Sequence, residues 1–341
     1  MASAFNKRHP IVVLGAGSWG SALSICLAKN GNDVRLWGHR PEHIESLRSL
    51  RENRVYLPGI QFPPNISFYS DLSLCLEGVQ DILMVVPSTA FVTVLQAVKA
   101  LRPSNVRIAW ATKGIDPQGN RLLSDLVAES FGEAVPMAVL SGPSFAKEVA
   151  KSEPTAVSLA GNNDIFIQDL LQRFHSDCFR VYVNSDMVGV QLCGVMKNIL
   201  AIAVGVADGM GLGANSRAAL ITRGVAEMSR LCSALSAQPE TLMSLAGIGD
   251  MVLTCTDNQS RNRRFGMGLG QGKTVKQVFA EIGQEVEGAH NVAQVQALAQ
   301  RYQLDMPITE QVCRLLQGEA SLDEALNNLL LRLPTRENLS I

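Results

Sequence analysis

Apolar and polar positions fall into two regimes along the chain. Up to about residue 184, short β-rich apolar runs alternate with stretches of helical period; beyond it only helical runs remain. Runs at 11–14, 33–37, 81–86, 106–111, 136–140, 155–159 and 178–183 predict strands, and 21–29, 90–100 and 120–131 predict helices. This alternation predicts a largely parallel sheet with helices on both faces. From 186 to 208 the chain reads DMVGVQLCGVMKNILAIAVGVAD, apolar or small at almost every position. A helix with no solvent face is either the spine of a soluble domain or a membrane span. Gln191, Lys197 and Asn198 near its centre, and no second comparable run, favour the spine. A glycine-rich turn at 205–213, a helix at about 215–235 and a short helix at 241–246 follow, the last broken by Gly247-Ile248-Gly249-Asp250. The expected fold is α/β: a Rossmann-type doubly wound sheet over 1–189, then an all-helical substrate and catalytic domain over 190–341.

The first strand runs into Gly15-Ala16-Gly17-Ser18-Trp19-Gly20, then a helix stopped by Asn30-Gly31, then the second strand. Strand, G-x-G-x-x-G, helix, strand is the dinucleotide fingerprint in its required context. Gly15 permits the tight turn, Gly17 lets backbone approach a pyrophosphate, and Gly20 lets helix and strand pack closely. The helix N-terminus then faces the phosphates with partial positive charge. An acid about twenty residues past the glycines would bind a ribose 2′-hydroxyl. Here stand His39 and Arg40, with Glu42 after Pro41. A guanidinium suits a 2′-phosphate, so NADP(H) is the preferred cofactor, with NAD(H) allowed.

Ligands in such sheets sit beyond the C-terminal strand ends. Polar turns occupy those ends at Pro87-Ser88, Thr112-Lys113-Gly114 and Ser141-Gly142-Pro143-Ser144, which aims Lys113 at the crevice. In the helical half, Lys197 shares a face with Gly194, Ala201 and Gly205. That face leaves room for an approaching group, and a buried lysine needs a partner, either a carboxylate or a ligand. Further on, Asp257-Asn258-Gln259-Ser260-Arg261-Asn262-Arg263-Arg264 sets three arginines among Asn and Ser donors, the make-up of an anion site. Gly270-Gln271-Gly272-Lys273-Thr274 imitates the end of a P-loop, but Met267 stands where the motif needs glycine and no parallel strand precedes it.

A length of 341 residues favours two domains. With 30 basic against 31 acidic residues there is no basic field for nucleic acid. Seven cysteines without a C-x-x-C pair suggest reduced thiols, and five scattered histidines show no metal spacing. The N-terminal MASAFNKRHP lacks the apolar core of a signal peptide, so a cytoplasmic protein with no membrane insertion is expected. A homodimer is compatible with these features.

The stretches GAGSWG (15–20), VPS (86–88), TKGI (112–115), SGPSFAKEV (141–149), KNILAIAVGVADG (197–209), GANSRAALITRG (213–224), GDMVLTCTDNQSRNRRFG (249–266) and VEG (286–288) resemble, in order, the bacterial NAD(P)-dependent glycerol-3-phosphate dehydrogenases. They extend across about four-fifths of the chain, and the blocks around Lys197 and Arg261 are the specific ones. Val195 departs from the pattern, the family having a smaller residue there. The resemblance implies reversible hydride transfer between NAD(P)H and C2 of dihydroxyacetone phosphate, giving sn-glycerol 3-phosphate, the glycerophospholipid precursor. It implies cofactor contacts at Ser18, Trp19, His39, Arg40, Lys113, Ala146, Arg261, Glu285 and Glu287. It implies substrate contacts at Lys113, Gly142, Ser144, Lys197, Asp250, Ser260, Arg261 and Asn262. Lys197 matches the catalytic lysine, and Lys113 is the second catalytic candidate. Burial and Lys113 would lower the Lys197 pKa, and a nearby Asp250 would oppose them. Two other classes stay open: a two-domain NADP-dependent reductase of the 3-hydroxyacid or ketopantoate type, and a non-catalytic NADP(H)-sensing module. The Ser260-Arg261-Asn262 cluster favours a small phosphorylated substrate.

Overall fold

The structure, a computed structural model, describes residues 9–101 and 105–330. By contacts it forms two compact units. The first holds the described residues up to Thr112 together with Ser124–Leu140 and Ser144–Ser185; the second holds Lys113–Leu123, Ser141–Pro143 and the described residues from Asp186 onward. The sequence expectation put the division after residue 189. Asp186 belongs with the second unit because it caps that unit's long helix, accepting from Gly189 N at 2.8 Å.

The strands of the first unit are β1 (Ile11–Leu14), β2 (Val34–Trp37), β3 (Glu52–Asn53), β4 (Leu57–Gln61), β5 (Ile66–Tyr69), β6 (Asp81–Met84), β7 (Arg107–Trp110), β8 (Met137–Ser141), β9 (Thr155–Gly161) and β10 (Phe179–Asn184). Eight of them make one sheet in the order β10-β9-β8-β7-β6-β1-β2-β5, and β3 and β4 form a separate antiparallel pair. β1 is central, parallel to β2 on one side and to β6 on the other. Every residue of β1 and β6 is buried, which is why these strands read as unbroken apolar runs rather than alternating ones. The exception is Asp81 at the start of β6. Its carboxylate is held by Arg107 Nε at 2.6 Å and Arg173 Nη2 at 2.7 Å. The end of β9 lies beside the start of β8, where Asn162 N donates to Met137 O at 3.1 Å, so these two strands run antiparallel.

Several elements differ from the sequence expectations. The first helix spans Ser18–Lys29 and starts three residues early, because Gly17 is its N-cap and accepts from Ser21 N at 3.0 Å. The helix expected at 120–131 begins only at Leu123, after a turn in which Asp116 N donates to Arg121 O at 2.9 Å. The short runs of β3, β4 and β5 gave no periodic signal. Nor did the Pro41–Leu50, Ala146–Ala150 and Asp164–Phe174 helices stand out.

The second unit is built around the 23-residue helix Met187–Gly209. By length and composition it could cross a membrane, but its neighbours in the unit bury most of it. The glycine-rich turn expected from 205 starts only at Met210, since Gly205 and Gly209 lie inside the helix. Their work is packing. A Cβ on Gly205 would lie 2.1 Å from Arg263 O, and one on Gly209 would lie 2.3 Å from Met267 O. Reciprocally, a Cβ on Gly266 or Gly270 of the Arg261–Gly270 helix would lie 2.1 Å from Ile202 O or 2.2 Å from Val206 O. The two helices meet backbone to backbone, with no layer of side chains between them. Another glycine sets the neighbouring corner. At Gly247 (φ −88°, ψ −108°) the backbone leaves helical angles within Leu245–Gly249, and the Asp250–Thr256 helix starts directly afterwards.

Gly205→Ala and Gly266→Ala should each force these helices apart. Overpacking of this kind costs roughly 1–3 kcal/mol or more. A urea titration should show a lower midpoint for both variants; unchanged midpoints would mean that the contact yields freely.

Candidate active site

In the first unit the glycine turn has the shape a dinucleotide needs. Gly15 has φ +123°, and a Cβ there would lie 2.6 Å from Val85 O; a Cβ on Gly20 would lie 1.8 Å from Gly15 O. These two glycines serve the turn and its contact with the helix. A Cβ on Gly17 would meet nothing within 4 Å, so its backbone faces open space at the helix N-terminus. Trp19 Nε1 is a buried donor with no partner among the described residues. An open N-terminal turn and an orphaned donor fit a dinucleotide whose pyrophosphate lies across Gly17 and Ser18. His39 and Arg40 are exposed just after β2. Arg40 Nη2 donates to Tyr56 Oη at 2.5 Å, and its guanidinium lies 5.8 Å from the centre of that ring.

The second unit gathers the titratable groups. Lys197 Nζ donates to Asp250 Oδ1 at 2.7 Å, and Lys113 Nζ donates to Asp250 Oδ2 at 2.6 Å. One carboxylate, 1% exposed, thus serves two ammonium groups. Lys197 Nζ also donates to Thr254 Oγ1 at 2.9 Å, whose hydroxyl in turn donates to Asp250 O at 2.6 Å. Lys113 Nζ also donates to Gly142 O at 3.1 Å. Each ammonium has three hydrogens and, among the described residues, two acceptors. Each therefore has one hydrogen left for a ligand. Burial pulls the Lys197 pKa down to about 8; Asp250 opposes the shift, and the Lys113 charge adds to it. The small residues on the lysine's face accommodate protein. A Cβ on Gly194 would lie 3.1 Å from Ser141 Oγ and 3.6 Å from Lys113 Cγ, while Gly205 receives the Arg263 backbone.

The three clustered arginines have different surroundings. Arg263 is buried and pairs with Asp208, which also takes Arg217 Nη2 at 2.7 Å; it holds helices together. Arg264 is exposed. Arg261 is half-buried, and its hydrogen-bond partner is the neutral Gln284 Oε1 at 3.4 Å. Among the described residues no carboxylate lies within ion-pair distance of it. Burial lowers its pKa, and Glu287 and Glu285 offset this from farther away. Ser260 caps the arginine helix, accepting from Arg263 N at 3.2 Å. Asn262 Nδ2 donates to Asn198 Oδ1 at 2.9 Å, and Asn262 Oδ1 accepts from Gly288 N at 2.9 Å. This carboxamide ties the arginine helix to the residue after Lys197. Glu285 accepts from His290 Nε2 at 3.0 Å, which holds the carboxyl below its usual range. Glu287 opens the Glu287–Arg301 helix. Of the remaining expected residues, Gly142 joins the second unit, while Ser144 and Ala146 belong to the first.

Three further residues emerge only in the structure: Thr254 on Lys197, Tyr56 on Arg40, and Asn291, whose Oδ1 accepts from Ile115 N at 3.0 Å. Ser141, from the polar turn expected at the crevice, has a buried hydroxyl beside Gly194 with no partner among the described residues. Thr254 lies one helical turn past Asp250, a spacing that could have flagged it. The other two depend on distant chain segments and leave no local signal.

Comparison with known proteins converges on one family. Models described as the NAD-dependent glycerol-3-phosphate dehydrogenase N-terminus and C-terminus match residues 10–166 and 186–327. A glycerol-3-phosphate dehydrogenase (NAD(P)+) of Coxiella burnetii is 53% identical over 330 residues, 97% of this chain and 99% of its own. One from Photobacterium profundum is 51% identical over 328 residues, 96% of this chain and 97% of its own. A crystal structure of glycerol-3-phosphate dehydrogenase from Coxiella burnetii superposes with a TM-score of 0.93 at 54% identity, over 95% of this chain and 99% of that one. With both halves matched and relatives this similar over nearly their whole length, the chain belongs to the NAD-dependent glycerol-3-phosphate dehydrogenase family.

Proposed function

We propose that the chain catalyses reversible hydride transfer between NAD(P)H and dihydroxyacetone phosphate, giving sn-glycerol 3-phosphate for glycerophospholipid synthesis. The observation that carries this function is the Lys113–Asp250–Lys197 group, two cations on one buried carboxylate with a hydrogen left on each ammonium. The bound nicotinamide supplies the hydride. Reduction at C2 places negative charge on the substrate carbonyl oxygen. Lys197 Nζ holds the proton that neutralises it, and Lys113 Nζ adds a second positive charge beside it. Asp250 keeps both ammonium groups in place. Arg261, with Asn262 and Ser260, serves the substrate phosphate, and Gly142 and Ser144 complete the substrate contacts. Ser18, Trp19, His39, Arg40, Lys113, Ala146, Arg261, Glu285 and Glu287 hold the cofactor, with Gly15, Gly17 and Gly20 shaping its turn. The Rossmann part supplies the glycine turn for the dinucleotide, and the helical part, which includes Lys113 and Gly142, supplies most of the substrate contacts. The seven cysteines are all free thiols, which suits the reducing cytoplasm.

The governing experiment is Lys197→Met. It preserves the bulk of the stem and leaves Asp250 paired with Lys113. NADPH oxidation with dihydroxyacetone phosphate should lose kcat on the order of 100-fold or more, the scale of a positioned acid or base. Fluorescence titration should show nearly unchanged NADPH affinity. The pH profile has a definite sign. Reduction needs the protonated ammonium, so wild-type kcat/KM should fall as pH rises through about 8, and the oxidative direction should rise there. A folded variant with near-normal kcat and the same alkaline limb would return Lys197 to a structural role.

Arg261→Ala tests the anion site. It should raise KM for dihydroxyacetone phosphate more than about tenfold, since a charge-assisted bond contributes roughly 1.5–3 kcal/mol. An unchanged KM for both substrate and cofactor would make the cluster an ordinary basic surface.

We further propose that NADPH is preferred over NADH, because Arg40 rather than an acid follows β2. Arg40→Ala should raise KM for NADPH far more than KM for NADH. Equal losses for the two cofactors would remove Arg40 from the 2′-phosphate.

A further inference from the structure

We infer that Asn291 is a positioning residue for Lys113, setting the register of the 113–123 segment so that the ammonium reaches Asp250. Asn291 sits one turn into the Glu287–Arg301 helix and is 2% exposed. Its Oδ1 accepts from Ile115 N at 3.0 Å, two residues past Lys113. Its Nδ2 donates to Glu287 O at 2.8 Å and to Glu287 Oε2 at 3.1 Å. The site requires an acceptor toward Ile115 and donors toward Glu287 on one short side chain, and a neutral carboxamide supplies both. Aspartate would lose the donors and set a second carboxylate beside Glu287. Leucine would leave a buried backbone N–H without its acceptor.

Other bonds shape the turn that follows Ile115. Asp116 Oδ1 accepts from Gln118 N at 3.0 Å, and Asp116 Oδ2 pairs with Arg121 Nη2 at 3.2 Å. Ile115 is 1% exposed and belongs to the core of the second unit. These contacts shape the turn, but the Asn291 bond ties backbone adjoining Lys113 to another element. Without it Ile115 can shift while the turn stays intact, and Lys113 Nζ moves off Asp250 Oδ2. The charged and titratable groups facing Lys197 are Asp250, Lys113 and the Cys255 thiol. Withdrawal of the Lys113 cation removes one cause of the lowered Lys197 pKa, so that pKa rises.

The inference rests on the roles proposed above for Lys113 and Lys197. Its test is a double-mutant cycle on the full chain with Asn291→Leu, Lys113→Met and the pair, read by steady-state NADPH oxidation across pH. Asn291→Leu should lower kcat/KM for dihydroxyacetone phosphate on the order of 10- to 100-fold, the usual scale for a misplaced catalytic group. It should also move the alkaline limb to higher pH. In the Lys113→Met background the same change should cost less than about twofold, because the group it positions is already gone. Equal losses in both backgrounds, or an unmoved limb with only a lower Tm, would overturn the positioning role. If Asn291→Leu does not fold, Asn291→Ser, too short to reach Ile115, takes its place in the cycle. A Lys113→Met variant of full activity would instead refute the proposed role of Lys113, and the inference with it.

Discussion

A carboxylate shared by two lysines and hidden from solvent is the constraint on which the helical unit turns. Asp250 is 1% exposed, and either oxygen takes one ammonium at 2.6–2.7 Å. Removing a charge from water is expensive, and mutual attraction offsets that cost only where geometry is good and remaining hydrogen-bonding capacity is met. Thr254 and Gly142 O meet part of it. The group as a whole carries one excess positive charge. That is a poor way to gain stability and a good way to attract negative charge developing on a substrate oxygen. Its state also suits the role proposed for Lys197 near neutral pH. Burial has brought the ammonium down to about 8, close to the range in which a donor both holds and releases its proton.

Such a group needs a scaffold that does not shift. The long helix carrying Lys197 meets the Arg261–Gly270 helix through four glycines, two on each side. Contact at backbone level leaves few side-chain rotamers through which one helix could slide on the other. The same helix pair carries Lys197 and Arg261, so the proposed proton donor and the proposed phosphate-binding guanidinium are referenced to one interface. Asn262 reinforces it, bonding to Asn198 on one side and Gly288 N on the other. An asparagine expected to touch substrate thus already has a structural commitment, and its contribution to phosphate binding is limited to its remaining amide hydrogen.

Much of this was legible in the sequence, and the parts that were not share a cause. The sheet, the glycine turn and the buried helix follow from local period and composition. The role of the glycines in that helix does not. Gly205 and Gly209 read locally as the start of a turn, and only the partner backbone from Arg263 to Gly270 shows that they are interior packing positions. Lys197 on a face of small residues signalled a special site, but the space beside Gly194 is filled by Ser141 and the stem of Lys113. Its carboxylate partner lies 53 residues away in sequence. The family resemblance supplied Asp250 as a site residue; the structure supplies its position between two cations.

The arginine cluster shows why composition alone overstates an anion site. Arg261, Arg263 and Arg264 are nearly equivalent as letters, and helical spacing points them in different directions. Arg263 turns inward to Asp208, where Arg217 joins it, and its charge is neutralised within the fold. Arg264 faces solvent, where a single charge is screened and costs little to leave unpaired. Arg261 lies between these extremes, desolvated enough for its pKa to fall yet without a carboxylate at contact distance. A guanidinium in that condition gains more from a phosphate than either neighbour would, because its field is less screened and its internal partner is the neutral Gln284 rather than a carboxylate. The proposed phosphate contact therefore falls to one of the three arginines. Burial and pairing pick out that residue, and arginine density does not.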